Sequence, residues 1–258
     1  PLMPIHVKFE LIICDDDDLI ADISIARNFQ NDVAALSIAG RKGYLDELEE
    51  KVQKFLGKRL QKSESQRPAE NNNVYPTEKL LQVIAALLPR DLWWKDGEPS
   101  KVYTYSAKAT CLKDFQTIYQ NAKEEKSKGK EGDFSKVYAF YLDIAPHAVK
   151  IYEKWKQHQS FKGTGLRSIE RDEKQVVEVP DGIVFPILAA LSEFAVKRGG
   201  EWTIEPPKEL DDSELIQVAK RAYMEIAKSK PEIMGKTKAC YSALEQITSI
   251  YKRLLQLA

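Results

Sequence analysis

The chain has 258 residues, 43% of them hydrophobic and 30% charged, with 39 Lys+Arg balanced by 39 Asp+Glu. That length can bury a real core in one large domain or two small ones. The balanced charge gives no general attraction to nucleic acid or anionic lipid. Every apolar run is shorter than the ~20 residues that cross a bilayer, and no stretch reads as a signal peptide, so a cytoplasmic protein with no membrane partner is expected. Cys14, Cys111 and Cys240 are widely spaced and set mostly among apolar neighbours, which reads as reduced core thiols and not as a disulfide framework or a CxxC metal site.

Ile5, Val7, Phe9, Leu11 and Ile13 repeat every second residue, which predicts a half-buried strand. A single strand leaves its backbone donors and acceptors unpaired, so its partners are expected upstream of Pro1. The absence of an initiator Met fits the same expectation of a fragment. Asp15 to Asp18 then precede a helix over 19–27, where an Asp can cap and further carboxylates face the positive helix end. Between this helix and the next lies Arg27-Asn28-Phe29-Gln30-Asn31, three neutral amides beside a guanidinium. Such side chains can hold a loop rigid or read the edge of a ligand. The plainer reading, in which Asn28 ends one helix and Asn31 or Asp32 caps the next, accounts for both asparagines but leaves Gln30 unexplained.

Leu45, Leu48, Val52 and Phe55 form a helical stripe, predicting a helix over 44–60, and residues 61–73 read as an exposed loop. Pro76 opens a helix with Leu80, Leu81, Ile84, Leu87 and Leu88 on its inner side. After a turn at 96–99, one helix runs through Tyr103 and another carries Leu112, Phe115, Tyr119 and Ala122. Residues 123–133 read as a charged, glycine-containing linker, and a long helix follows over 134–159, kinked near Pro146. Residues 161–178 are loop-like, with a short strand candidate over 175–179. An apolar helix over 183–197 is stopped by Gly199-Gly200, a second strand candidate follows at 202–204, and amphipathic helices over 212–228 and 236–255 close the chain. These elements predict a mainly α fold: a multi-helix bundle with an N-terminal β-strand and at most a few short strands. Residues 1–60 read as the end of an upstream α/β domain, and 74–258 as a helical domain with a subdivision near 123–133.

No catalytic constellation emerges, so enzyme activity stays undecided from the residues, and neither a cofactor nor a metal site is predicted. Gly235-Lys236-Thr237 ends like a phosphate-binding loop, but the glycine required five residues earlier is Lys230. Asp32 with Glu49-Glu50-Lys51 has the letters of a metal-dependent nuclease set, yet Glu49 and Lys51 fall in a helix, where a solvated face is expected. His6, His147 and His158 lack zinc-ligand spacing, and His147 beside Pro146 reads as a packing residue. Trp93-Trp94, Tyr103 and Tyr105 read as core aromatics, although bases can stack on such side chains. Lys123, Lys126, Lys128 and Lys130 form a local basic loop, and Lys126, Lys128 and Lys130, joined by Lys162 and Arg167, are candidate phosphate contacts; Glu124, Glu125, Glu131 and Asp133 are interleaved, and a flexible solvated loop is the commoner outcome of such a stretch.

The strand Val7-Lys8-Phe9-Glu10-Leu11-Ile12 followed by Ile23-x-x-Ala26-Arg27-Asn28-Phe29-Gln30-Asn31 resembles the AIPR family, the abortive-infection phage-resistance proteins of bacteria. Leu45-Asp46-Glu47-Leu48-Glu49-Glu50, Thr77-Glu78-Lys79-Leu80-Leu81-Gln82, Gly97-Glu98-Pro99-Ser100 and Phe115-Gln116-Thr117-Ile118-Tyr119 are similar to its later segments, so the resemblance covers residues 5–122. The family's upstream Asn-Gly-x-Gln-Thr motif does not occur before the strand. The resemblance implies the C-terminal helical part of a bacterial antiphage protein, with Arg27, Asn28, Gln30 and Asn31 as a binding motif of unassigned role. Partner contact or sensing by a non-catalytic module is the first expectation. The alternative is the nucleic-acid-binding part of a defence nuclease. Expected partners are the upstream domain of the same protein, and nucleic acid or another defence-system protein.

Overall fold

A computed structural model of the chain describes residues 35–63, 65–66, 73–94, 108–157, 168–171, 174–179 and 181–205. In chain order these form α1 (Ala35–Arg41), α2 (Asp46–Leu56), β1 (Arg59–Leu60), β2 (Val74–Tyr75), α3 (Thr77–Leu87), α4 (Lys108–Ser127), α5 (Asp133–Lys156), β3 (Ser168–Arg171), β4 (Lys174–Val177), α6 (Asp181–Leu191), β5 (Ala195–Arg198) and β6 (Glu201–Ile204). Short 3-10 turns lie at Arg90–Leu92 and Ser192–Phe194. The fold is mainly α, as the periodicity predicts, and the described strands pair only two by two. The sequence expectations at 5–13, 15–18, 19–27, 27–31, 96–99, 212–228 and 236–255 lie outside the described residues, as do those for Tyr103, Tyr105, His6 and His158.

Helix α5 is the axis of the described body. It packs against α2, α3, α4, α6 and β6. Val137, Tyr141, Ile144, Ala148, Tyr152 and Trp155 recur at helical spacing and are buried, and Phe140, Ala145 and Val149 extend the apolar surface around the cylinder. The helix runs through Pro146 without interruption. Phe140 meets Trp202 of β6 edge-on, with ring centroids 5.6 Å apart. Full burial of side chains as large as Phe115, Phe140 and Trp155 stabilises the fold by about 1.5–3 kcal/mol apiece. Helix α3 is also enclosed: Leu80, Leu81, Ile84 and Leu87 are buried as expected, and Gln82, Val83, Ala85 and Ala86 are buried on its other sides.

The far end of α5 is pinned by a charge cluster at the start of α6. Asp181 Oδ2 lies 2.5 Å from Lys79 Nζ, while its Oδ1 accepts from Tyr152 Oη at 2.8 Å and lies 3.3 Å from Lys156 Nζ. Lys156 also donates to the Val179 carbonyl at 2.7 Å, and Lys79 stands over the Phe185 ring. One carboxylate thereby ties α3, α5 and α6 together. Burial works to raise the Asp181 carboxyl, but the two ammonium charges and the hydrogen bonds from Lys79 and Tyr152 outweigh it and hold it below its ordinary value.

Several boundaries differ from the sequence expectations. Helix α2 ends at Leu56, not near 60, because Leu60 joins a short parallel pairing with Tyr75 and its N–H donates to Glu49 Oε1 at 3.1 Å. The buried line of α2 steps from Leu48 to Val52 and on toward Leu56, which leaves Phe55 56% exposed. Residues 123–127, expected as linker, belong to α4. The loop expected over 161–178 contains the antiparallel pair β3–β4, with Ile169 opposite Val176; β4 overlaps the strand candidate over 175–179, and β3 was not expected. The helix expected over 183–197 stops at Leu191, and Ala195–Arg198 forms a strand. Gly199-Gly200 is therefore a hairpin turn and not a helix stop: both residues have positive φ (58° and 94°), the geometry a two-residue turn demands. His147 is exposed and does not pack in the core, whereas Trp93 and Trp94 are partly buried against it.

Replacing Asp181 by Asn removes the nearest carboxylate from two largely buried ammonium groups and leaves Lys156 only the more distant Glu178 at 3.8 Å, and a loss of about 3 kcal/mol at pH 7 is expected. The folded carboxyl titrates below its unfolded value of about 3.9, so its contribution is intact above that pH and is lost as pH falls through the folded pKa. Urea unfolding of both proteins should show the wild-type advantage shrinking as pH falls below about 4; an advantage that does not diminish on acidification contradicts this account.

Candidate functional site

The turn between α4 and α5 brings the basic residues singled out in the sequence into a defined geometry. Contacts of Phe115 with Tyr141 and of Tyr119 with Tyr138 show the two helices running antiparallel. Helix α4 closes with two backbone bonds, Gly129 N–H to the Lys126 carbonyl and Lys130 N–H to the Glu125 carbonyl, both at 3.0 Å. This is the Schellman pattern, and its left-handed position (φ 65°) is filled by Gly129. It fixes Lys130 one step beyond the helix, on the same side as Lys123 and Lys126.

The same turn caps α5. Gly132 precedes the helix and offers no side-chain cap. Glu125 reaches across from α4 instead: its Oε2 accepts from Ser135 N–H at 2.8 Å and from Ser135 Oγ at 2.7 Å, and its Oε1 approaches Phe134 N–H at 3.4 Å. The Ser135 hydroxyl, chief among these donors, holds the Glu125 carboxyl below its ordinary value against a smaller effect of burial. A Cβ at position 132 would lie 2.2 Å from Glu125 Oε1, so any side chain there would push the carboxylate out of its capping position.

Beside this capped turn is a recess of about 310 Å³, walled by Lys123, Lys126, Lys130, Glu47, Glu131 and Ser135, with Ala122, Tyr138, Ala139 and Leu142 completing it. Lys123 is paired with Glu47 of α2 and lies over the rings of Tyr119 and Tyr138. Lys126 and Lys130 are exposed and form no ion pair among the described residues, while Lys128 is paired with Glu124 one turn away. The hydroxyl of Tyr138 is buried and lacks a hydrogen-bond partner. Burial raises its pKa above the usual phenol range, and the neighbouring Glu47 carboxylate raises it further without a hydrogen bond of good geometry.

The structure thus groups Lys126 and Lys130 on the recess and directs Lys128 elsewhere; Lys162 and Arg167 lie outside the described residues, as do Arg27, Asn28, Gln30 and Asn31. Glu47, Ser135 and Tyr138 were missed at the sequence level. Lys123 was visible there as a member of the basic stretch, but its place on a helix was not: 123, 126 and 130 are spaced three and four apart, one face of a helix, whereas the charge and glycine content of the stretch point to a linker. Glu49 and Lys51 serve elsewhere. Contrary to the expected solvated face, Glu49 is buried, accepting from Leu60 N–H at 3.1 Å and lying 2.6 Å from Lys62 Nζ. Lys51 lies 3.5 Å from Asp143 and 3.6 Å from Glu201.

A family model described as AIPR protein matches residues 1–251. The chain belongs to the AIPR family. The match extends well past residues 5–122, on which the resemblance rests, and takes in the whole of the α4–α5 turn and its recess. No curated protein matches the chain, and no solved structure does. Membership carries the AIPR association with abortive infection and phage resistance. Among the described residues of this AIPR protein no helix is long and apolar enough to cross a membrane, and no His/Cys/Asp/Glu group is arranged to hold a metal ion.

Because Gly132 exists to admit Glu125, the substitutions Gly132→Ala and Glu125→Ala should remove one and the same cap. Each is expected to lower unfolding free energy by about 1 kcal/mol, and the double substitution by little more than either alone. Denaturant titration of the three variants checks this; full additivity would show that the two residues act separately.

Proposed function

We propose that this helical body is a non-catalytic contact and sensing module of an abortive-infection defence protein, with the α4–α5 recess as its sensing surface. The observation that carries the reading is the contrast between committed and uncommitted charge. Glu49 and Lys51, the letters of a nuclease set, are tied into ion pairs that join α2 to β1 and to α5 and β6. Lys126 and Lys130 stand at the rim of a recess without a carboxylate partner among the described residues. Unpaired cations beside a concave, partly apolar surface mark a place where a second molecule gains by docking. On this reading the protein works in the bacterial cytoplasm, and its partners are the rest of the same protein and other components of the defence response. The test is phage challenge of cells carrying the full protein, using phages that the wild type restricts. Lys126→Glu with Lys130→Glu should abolish protection while abundance and thermal unfolding of the protein stay unchanged. Undiminished protection overturns the reading.

The same two lysines favour one alternative, in which this face follows the phosphate backbone of a nucleic acid together with Lys128, Lys162 and Arg167. Each phosphate contact releases condensed counterions, so affinity should fall steeply with salt, and the double Lys→Ala variant should lower the log–log slope by roughly 2 on duplex DNA. No binding to labelled DNA or RNA at low salt removes this alternative.

A further inference from the structure

The geometry points to the α4–α5 recess as a binding site for a small organic oxyanion of single charge carried on a partly apolar body. This rests on the reading of that recess as a sensing surface and names the chemistry it takes. The charge balance of the walls sets the ligand charge: Lys123, Lys126 and Lys130 face Glu47 and Glu131, three positive groups against two negative, which leaves one positive charge to neutralise. A dianion would leave the site negative beside two carboxylates. The wall formed by Ala122, Ala139 and Leu142 offers hydrocarbon to the body of the ligand, and about 310 Å³ is at the small end of ligand-pocket volumes.

An independent observation is the Tyr138 hydroxyl. Tyr138 lines the recess, and its buried hydroxyl has Glu47 nearby but makes no hydrogen bond of good geometry, an arrangement that costs free energy unless a better-placed acceptor arrives. Lys123 stands over the Tyr138 ring, held there by its pair with Glu47. Both members of that pair are more than one-third exposed, and surface pairs of this kind contribute at most about 1 kcal/mol. The Lys123 side chain can therefore swing toward an incoming anion at little cost, opening the hydroxyl to one oxygen of the ligand while Lys126 and Lys130 hold another. Lysine suits this task better than arginine, because a flexible point charge can follow an anion whose orientation is fixed by a separate donor.

Singly charged oxyanions of this class come from two sources, carboxylates and phosphodiesters, and titration calorimetry on the full chain can separate them. The probes, titrated at about pH 8.5 so that inorganic phosphate is a dianion, are benzoate with benzamide as its neutral counterpart, the dinucleoside monophosphate ApA with adenosine as its neutral counterpart, and inorganic phosphate as the dianion control. Binding of either anionic probe with no binding of its neutral counterpart is expected, and whichever anion binds identifies the source. Lys126→Ala with Lys130→Ala should weaken that binding at least tenfold. Tyr138→Phe should also weaken it about tenfold while leaving thermal unfolding of the unliganded protein unchanged or slightly raised, since it deletes a buried hydroxyl that makes no hydrogen bond of good geometry. Equal binding of charged and neutral probes, tighter binding of inorganic phosphate, wild-type affinity in Tyr138→Phe, or no binding of any probe each overturns the proposal. Loss of phage protection in the charge-reversal variant without probe binding would sink this ligand class and spare the sensing role; the converse pair of results would do the opposite.

Discussion

The described fold depends on the requirement that α5 be surrounded. Its sequence puts apolar groups on nearly every side of the middle of the cylinder, where Asp143, His147 and Lys150 mark the strip that favours water or ion pairs. Neighbouring elements are placed by the need to cover it: α4 by the aromatic contacts along the antiparallel pair, α2 by Leu48 and Val52, α3 and α6 at the far end, and β6 by Trp202 on Phe140. Hydrophobic burial is non-directional. It brings these elements together but does not choose among the ways they could be arranged.

The choice is made by partly buried charges at the seams. Asp181 joins three helices, Glu49 fastens α2 to the chain entering β1, and Asp143 accepts from Trp202 N–H at 3.1 Å while facing Lys51. Each carboxylate meets donors from another element or loop, so a slipped packing would leave a desolvated charge without partners, a large cost relative to the marginal stability of a domain. With 30% charged residues the chain has ample material for such fasteners, and the net charge of zero conceals how many act inside the structure.

Much of the architecture was legible because it follows from period alone. The helix carrying Leu80, Leu81 and Ile84, the helix with Leu112 and Phe115, and the long helix after Gly132 are all present where apolar spacing put them. Errors gathered at ends and turns, where the deciding interaction is made with a neighbouring element and not within the helix itself. Nothing local says that the N–H of Leu60 will find Glu49, or that Gly199-Gly200 will reverse a hairpin instead of ending a helix. The candidate site divides the same way. Lys126 and Lys130 could be named from clustering, but Glu47 reaches the recess only because α2 packs on α5, and the isolation of the Tyr138 hydroxyl exists only in three dimensions.

Pro146 gives α5 an internal seam. A proline has no N–H to offer, so the carbonyl of Leu142, four residues back, lacks its ordinary helical donor. Leu142 belongs to the wall of the recess, whereas Tyr152 and Lys156 belong to the Asp181 cluster at the opposite end. The ladder thus loses a rung between the half of the rod that faces the recess and the half that anchors α6. Bending at that joint breaks one backbone bond fewer than bending anywhere else along the helix, which makes it the weakest link in the path from the recess to the anchored end.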